Sequence, residues 1–232
     1  MKIFAFPFAG GNKYSYDPLR KRLPEYLTME VIEYSGRGTR VAEPLYTDLS
    51  RHVEEALSFI AARATKAPFL FYGHSMGGIV AYLTARRLME QQARLPQRLL
   101  VSGCAGPREF KRENISTLES DAFWEKINSY GGLQQEILQE EVLKTFLEPI
   151  LRADFASIEG FVYPEDSLPF PFPIDVLYGS TEEVTEAEIE AWRQESSQAV
   201  TITELSGNHF FLFEHLDYFI QYFQRLYANA AI

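Results

Sequence analysis

A single cysteine, Cys104, stands in a chain of 232 residues. No intramolecular disulfide can form, so the fold must rest on its core, as suits a reducing compartment. Positive charge is also scarce: 22 Lys and Arg against 32 Asp and Glu give a formal charge of −10. Such a balance argues against nucleic acid or an anionic membrane surface as partner. No apolar run is long enough to span a bilayer. The opening run Lys2-Ile3-Phe4-Ala5-Phe6 is too short for a signal peptide and meets Pro7. A soluble cytoplasmic protein is the expectation. Internal repeats, low-complexity tracts and interdomain linkers are missing as well.

What is present is apolar and aromatic. Hydrophobic residues make up 46% of the chain, with 18 Phe and 13 Tyr, enough for a sizeable core and for the walls of an apolar pocket. Short apolar runs alternate with helix-like stretches. Strands are read at Ile3 to Phe6, Met29 to Tyr34, Pro68 to Tyr72, Arg98 to Ser102, Ile174 to Tyr178 and Val200 to Leu205. Helical spacing appears through Leu19 and Leu23, after Asp48, after Ser75, over Thr185 to Gln194, and at Leu216, Phe219, Ile220, Phe223 and Leu226. Strand–helix alternation implies an α/β fold with a mainly parallel, doubly wound sheet, here one domain over 1–232. From about 105 to 166 the alternation stops and the pattern is helical, with a break at Gly131-Gly132 and a bend expected at Pro149. That stretch reads as a helical lid inserted between two strands.

The strongest chemical signal is Gly73-His74-Ser75-Met76-Gly77, directly after a buried apolar run and directly before a helix. Gly-x-Ser-x-Gly in that context is a nucleophile elbow. The turn forces the serine into strained backbone angles, and side chains at the flanking positions would strike backbone. The helix that follows aims its free N–H groups and dipole at developing negative charge. A serine nucleophile needs a base. Of four histidines, His74 sits inside the elbow, His52 lies early in a helix read as solvated, and His215 lies inside the last helix. His209 follows the last strand in Gly207-Asn208-His209-Phe210, where the order Ser, acid, His places the base. The acid should follow the strand Ile174 to Tyr178. Glu182 stands three residues past Gly179, with Glu183 and Asp175 as competitors. Oxyanion donors are expected at the backbone N–H of Met76 and, from the glycine-bearing loop after the first strand, of Ala9, with Phe8 as alternative.

Phe6-Pro7-Phe8-Ala9-Gly10-Gly11, Ser35-Gly36-Arg37-Gly38 with Arg40, and the elbow together resemble the type II thioesterases, stand-alone editing enzymes of nonribosomal peptide and polyketide synthetases within the α/β-hydrolase superfamily. Leu151-Arg152-Ala153-Asp154-Phe155, Trp192 and Gly207-Asn208-His209-Phe210-Phe211 extend the resemblance over nearly the whole chain. Two positions depart from that pattern: Glu182 stands where aspartate is usual, and Ser35 where proline is common. The resemblance implies hydrolysis of short acyl groups from the phosphopantetheine arm of a carrier protein, without metal or cofactor. Ser75 would form an acyl-enzyme and His209 would protonate the departing thiolate. Phe8, Phe110, Trp124, Tyr130 and Phe146 would line the substrate groove, although the lid aromatics are equally suited to the lid's own core. Arg108, Lys111 and Arg112 form a basic cluster that could meet an acidic carrier or simply be solvated. Alternatives are a product-releasing thioesterase or small-ester hydrolase of the same fold, and a non-catalytic module that binds carriers.

Overall fold

Even-numbered and odd-numbered side chains of the first strand, β1 (Lys2–Phe6), go to opposite faces of a sheet, and both faces are covered. The computed structural model describes residues 1–132, 135–165 and 167–230. In chain order the elements are β1, α1 (Asp17–Arg20), β2 (Thr28–Val31), α2 (Leu49–Arg63), β3 (Phe69–His74), α3 (Met76–Glu90) and β4 (Leu99–Ser102). Then come α4 (Ser120–Ser129), α5 (Gln135–Gln139), α6 (Glu141–Glu159), β5 (Ile174–Gly179), α7 (Glu186–Glu190), β6 (Val200–Leu205) and α8 (Leu216–Ala230). The six strands form one sheet in the order β2-β1-β3-β4-β5-β6, every pair parallel.

Phe4, Phe6, Phe71 and Val101 pack with α2 and α3 on one face, together with Trp192. Ile3, Ala5, Leu70, Tyr72 and Leu100 pack with Leu19 of α1 and Phe219 and Phe223 of α8 on the other. Burial on both faces explains why the strands read as continuous apolar runs. Asp48 caps α2 by accepting from the Ser50 N–H at 2.8 Å. Thr185 and Glu188 close a capping box on α7. The expected helix over Thr185 to Gln194 divides into α7 and a 3₁₀ turn, Ala191–Glu195. The expected second strand stops at Val31, where it leaves the sheet edge.

Between β4 and β5 the regular elements among the described residues are all helical, with a small core of their own at Ile115, Phe123, Trp124, Ile127 and Leu151, and Phe170 makes a single bridge to Ser196. The helix α6 runs through Pro149 as one element of 19 residues. Asp166, the far limit of the expected insertion, lies outside the described residues. Among the described residues no helix is long and apolar enough to cross a membrane.

The chain leaves β1 towards β2 and then returns to the other side of β1 to form β3. The carboxyl ends of β1 and β3 therefore flank the point where the winding reverses, the place where open parallel sheets hold ligands. The loop 7–11 and Ser75 both lie there.

Candidate active site

Ser75 links β3 to α3 with φ 54° and ψ −125°, a left-handed conformation costly for a residue bearing a side chain. The turn is held by the Ser75 N–H donating to the Ser102 carbonyl at 2.8 Å. A methyl group on Gly73 would lie 2.2 Å from the Gly77 carbonyl oxygen, and one on Gly77 would lie 2.0 Å from that of Phe6. Both flanking glycines are thus demanded by backbone contact, as the elbow geometry requires. Met76 opens α3, where its N–H has no acceptor in the preceding turn.

His209 is held from several sides. Gly207 has φ +121°, and Asn208 closes the loop by accepting from the Phe210 N–H at 2.9 Å. The imidazole packs against His74, Tyr130 and Phe210, with ring centroids 4.9, 5.4 and 5.3 Å away. Its Nδ1 meets Glu182 Oε1 at 2.5 Å. An ionised carboxylate only accepts, so Nδ1 carries the proton and Nε2 stays outside this hydrogen bond. Glu182 is nearly buried. Glu183 is exposed, and Asp175 is occupied deeper in β5 by Arg98 Nη1 at 2.5 Å and the Tyr222 hydroxyl. Neither competitor pairs with His209. The loops bearing Glu182 and His209 are joined by the Thr181 N–H donating to the Gly207 carbonyl at 3.0 Å.

His74 packs beside this pair, and its hydrogen bond goes elsewhere. It is fully buried, with Nδ1 against Ser102 Oγ at 2.9 Å. Burial above all, and the nearby His209 charge, push its pKa well below the usual histidine value. His52 corrects the expectation of a solvated residue. It is fully buried, its Nε2 facing Ser157 Oγ of α6 at 3.2 Å, because α6 covers this face of α2. Burial lowers its pKa too.

A cavity of about 520 Å³ brings Ser75 and His209 together with Phe8, Ala9 and Gly10 from the first loop. Its remaining wall is largely helical and apolar, including Phe110, Ile127, Tyr130, Leu147, Leu151 and Phe155. Of the five aromatics expected there, Phe8, Phe110 and Tyr130 line it. Trp124 and Phe146 do not. Trp124 is buried in the insertion's own core and donates its indole N–H to Glu148 at 2.8 Å, whereas Phe146 lies on the outer side of α6 and is 54% exposed. The wall residues Leu147, Leu151 and Phe155 carried no sign of a ligand in the sequence, since a pocket wall and a helix core share one periodicity.

The basic cluster is engaged within the fold. Lys111 pairs with Glu188 at 2.8 Å, Arg108 donates to the Tyr163 hydroxyl at 2.9 Å, and Arg112 donates to the Phe161 carbonyl at 2.9 Å. A second feature escaped the sequence reading. Arg37 and Asp154, 117 positions apart, form a buried ion pair that also reaches the first loop. Burial works against the Arg37 charge, but the carboxylate more than offsets it and raises the guanidinium's pKa. Among the described residues no three His, Cys, Asp or Glu side chains group as a metal site.

The sequence profile of the thioesterase domain matches residues 1–227. The chain belongs to the thioesterase family. This thioesterase is 33% identical over 216 residues to the linear gramicidin dehydrogenase LgrE of Brevibacillus parabrevis, covering 90% of this chain and 81% of that protein. The crystal structure of ClbQ, from the colibactin nonribosomal peptide/polyketide pathway, matches with TM-score 0.91 and 25% identity over 98% of this chain and 97% of that one. YbtT, the type II thioesterase of the yersiniabactin pathway, matches with TM-score 0.86 and 26% identity over 97% and 91%. The parallel sheet and its helices are those of an α/β-hydrolase, and the thioesterase is a serine hydrolase of thioesters that groups with the type II enzymes.

Proposed function

We propose that this thioesterase clears acyl groups from the phosphopantetheine arm of a carrier protein serving a nonribosomal peptide or polyketide synthetase. Ser75, His209 and Glu182 act as its triad. The observation that carries the reading is the Glu182–His209 hydrogen bond beside the cavity into which Ser75 opens. Ser75 Oγ attacks the thioester carbonyl as His209 Nε2 takes its proton. The N–H groups of Met76 and Ala9 receive the oxyanion. Collapse expels the pantetheine thiolate, which His209 protonates, and leaves an acyl-enzyme. Water activated by the same nitrogen then releases the acid. Glu182 keeps the proton on Nδ1 and stabilises the imidazolium in both halves.

The helical segment between β4 and β5 acts as a lid on the single domain, giving the acyl chain an apolar enclosure. That enclosure is roomier than a two-carbon acyl group needs, which favours acceptance of longer chains beside short ones. The working place is the cytoplasm, where reduced carriers are charged.

The test is release of a short acyl group from a loaded carrier protein by wild type, Ser75→Ala and Glu182→Gln. Turnover in wild type, none with Ser75→Ala and a strong fall with Glu182→Gln is the expected result. An acyl group left on the carrier by wild type would overturn the carrier reading. Turnover of simple esters far above that of any thioester would overturn the editing role.

A further inference from the structure

Asp154, on α6, has no exposed surface and three donors. Its Oδ1 accepts from Arg37 Nη2 at 2.7 Å. Its Oδ2 accepts from Arg37 Nη1 and from the Gly10 N–H, the latter at 2.7 Å. Arg37 in turn reaches the Gly11 carbonyl with Nη1 at 3.4 Å and the Ser35 carbonyl with Nε at 3.4 Å. One ion pair therefore grips the amide of Gly10 and the carbonyl of Gly11. The turn is completed by the Gly11 N–H donating to the Phe8 carbonyl at 2.8 Å, with Gly10 at φ +75°. The helix bearing Asp154 presses on the same spot, where a methyl group on Gly10 would lie 2.6 Å from Leu151 Cδ2.

The Gly10 N–H is committed to Asp154, the Ala9 N–H has no acceptor among the described residues, and Ala9 lines the same cavity as Ser75. We propose that the Arg37–Asp154 pair is a positioning element of the thioesterase site: it fixes the Gly10 peptide and so aims the Ala9 N–H at the developing oxyanion. The inference rests on the reading of Ser75 as nucleophile and Ala9 as donor given above. It also makes α6 the fixed wall of the cavity, since α6 cannot swing out without breaking a buried, doubly hydrogen-bonded ion pair.

Two double variants separate aiming from mere support. Arg37→Met/Asp154→Asn and Arg37→Met/Asp154→Leu both remove the buried charges, so neither leaves an ion unpaired, but only the first keeps an acceptor for the Gly10 N–H. With an acyl-pantetheine substrate, the Leu variant is expected to lose about 100-fold in kcat, the order seen on removing one oxyanion donor. Its KM should stay within about twofold, and its rate of labelling by a fluorophosphonate should fall in parallel. The Asn variant should retain most of the rate. Glu195→Gln, which breaks the remote buried Arg86–Glu195 pair, serves as a stability control and should keep kcat. Should the double variants fail to fold, Asp154→Leu alone is compared with Asp154→Asn alone on the same readouts, since both leave Arg37 unpaired and only the Asn keeps an acceptor for the Gly10 N–H, and equal kcat in these two likewise overturns the proposal. Equal kcat in the two double variants, or a loss no greater than that of Glu195→Gln, overturns the proposal. Turnover that survives Ser75→Ala in the same assay would instead bring down the serine reading on which it stands.

Discussion

Glu182 divides its carboxylate between the imidazole and the backbone: Oε1 meets His209 Nδ1 at 2.5 Å, and Oε2 accepts from the Gly179 N–H at 2.6 Å. The second bond folds the side chain back over its own turn. That retraction lets the longer side chain meet the imidazole where an aspartate would otherwise suffice.

The two bonds make different demands on a substitute. Glu182→Gln preserves length but offers a neutral amide, and a wrong tautomer at His209 is expected to lower kcat by about 10³–10⁴-fold. Glu182→Asp keeps the charge but cannot span both partners, so a milder loss of about tenfold is expected. Steady-state kinetics on one acyl-pantetheine substrate checks the order of the two.

Leu147 contributes to the cavity wall from α6. Leu147→Trp should narrow the space for the acyl chain and leave the reacting groups alone. We expect kcat/KM for an octanoyl thioester to fall about tenfold relative to the acetyl thioester, the size of discrimination that one or two methylenes provide. Competition between the two thioesters measures the ratio.

The pair Arg86–Glu195 is also buried, with Glu195 Oε2 accepting from Arg86 Nη2 at 2.6 Å and from the Tyr82 hydroxyl at 2.7 Å. Glu195→Gln leaves a buried guanidinium uncompensated, and about 3–5 kcal/mol of folding stability should be lost. Urea unfolding followed by circular dichroism gives the value.

His74 and His52 both hold depressed pKa values in the folded chain, chiefly through burial. In the unfolded chain they protonate near the ordinary value of about 6.5, so below that pH the unfolded state binds more protons. Their contribution is complete above about pH 6.5 and is lost as pH falls below it towards the folded values. The slope is up to about 1.4 kcal/mol per pH unit for each histidine while only the unfolded form titrates. His52→Gln should flatten the fall in urea midpoint between pH 6.5 and 5; an unchanged slope would exclude His52 as a source.

Much of this arrangement was legible because it rests on local rules. Gly73 and Gly77 flank a turn that admits no Cβ, and a sequence can display that demand only as glycine. His209 and Glu182 could be named because the chain order serine, acid, histidine puts each in a loop after a strand, and those strands, β5 and β6, are neighbours. What failed depended on the rotation and docking of helices. Trp124 turned into the insertion's core and Phe146 out of it, although both sit on helices with apolar stripes. His52 looked solvated because nothing near it in sequence announces that α6 covers its face. The link between Arg37 and Asp154 was invisible for the same reason: two charges 117 positions apart give no sign that they meet.

The proposed reacting groups and the wall of the proposed acyl site come from different stretches of this chain. Ser75, His209, Glu182 and Ala9 all stand at the ends of strands, whereas Ile127, Tyr130, Leu147, Leu151 and Phe155 come from the segment between β4 and β5. Mutation in that segment can reshape the acyl enclosure while the reacting groups stay as they are. Asp154 is a buried point where the two stretches are tied, so a segment transplanted from a relative needs its own carboxylate opposite Arg37. The Ser157–His52 contact and the Lys111–Glu188 pair set further demands on such an exchange.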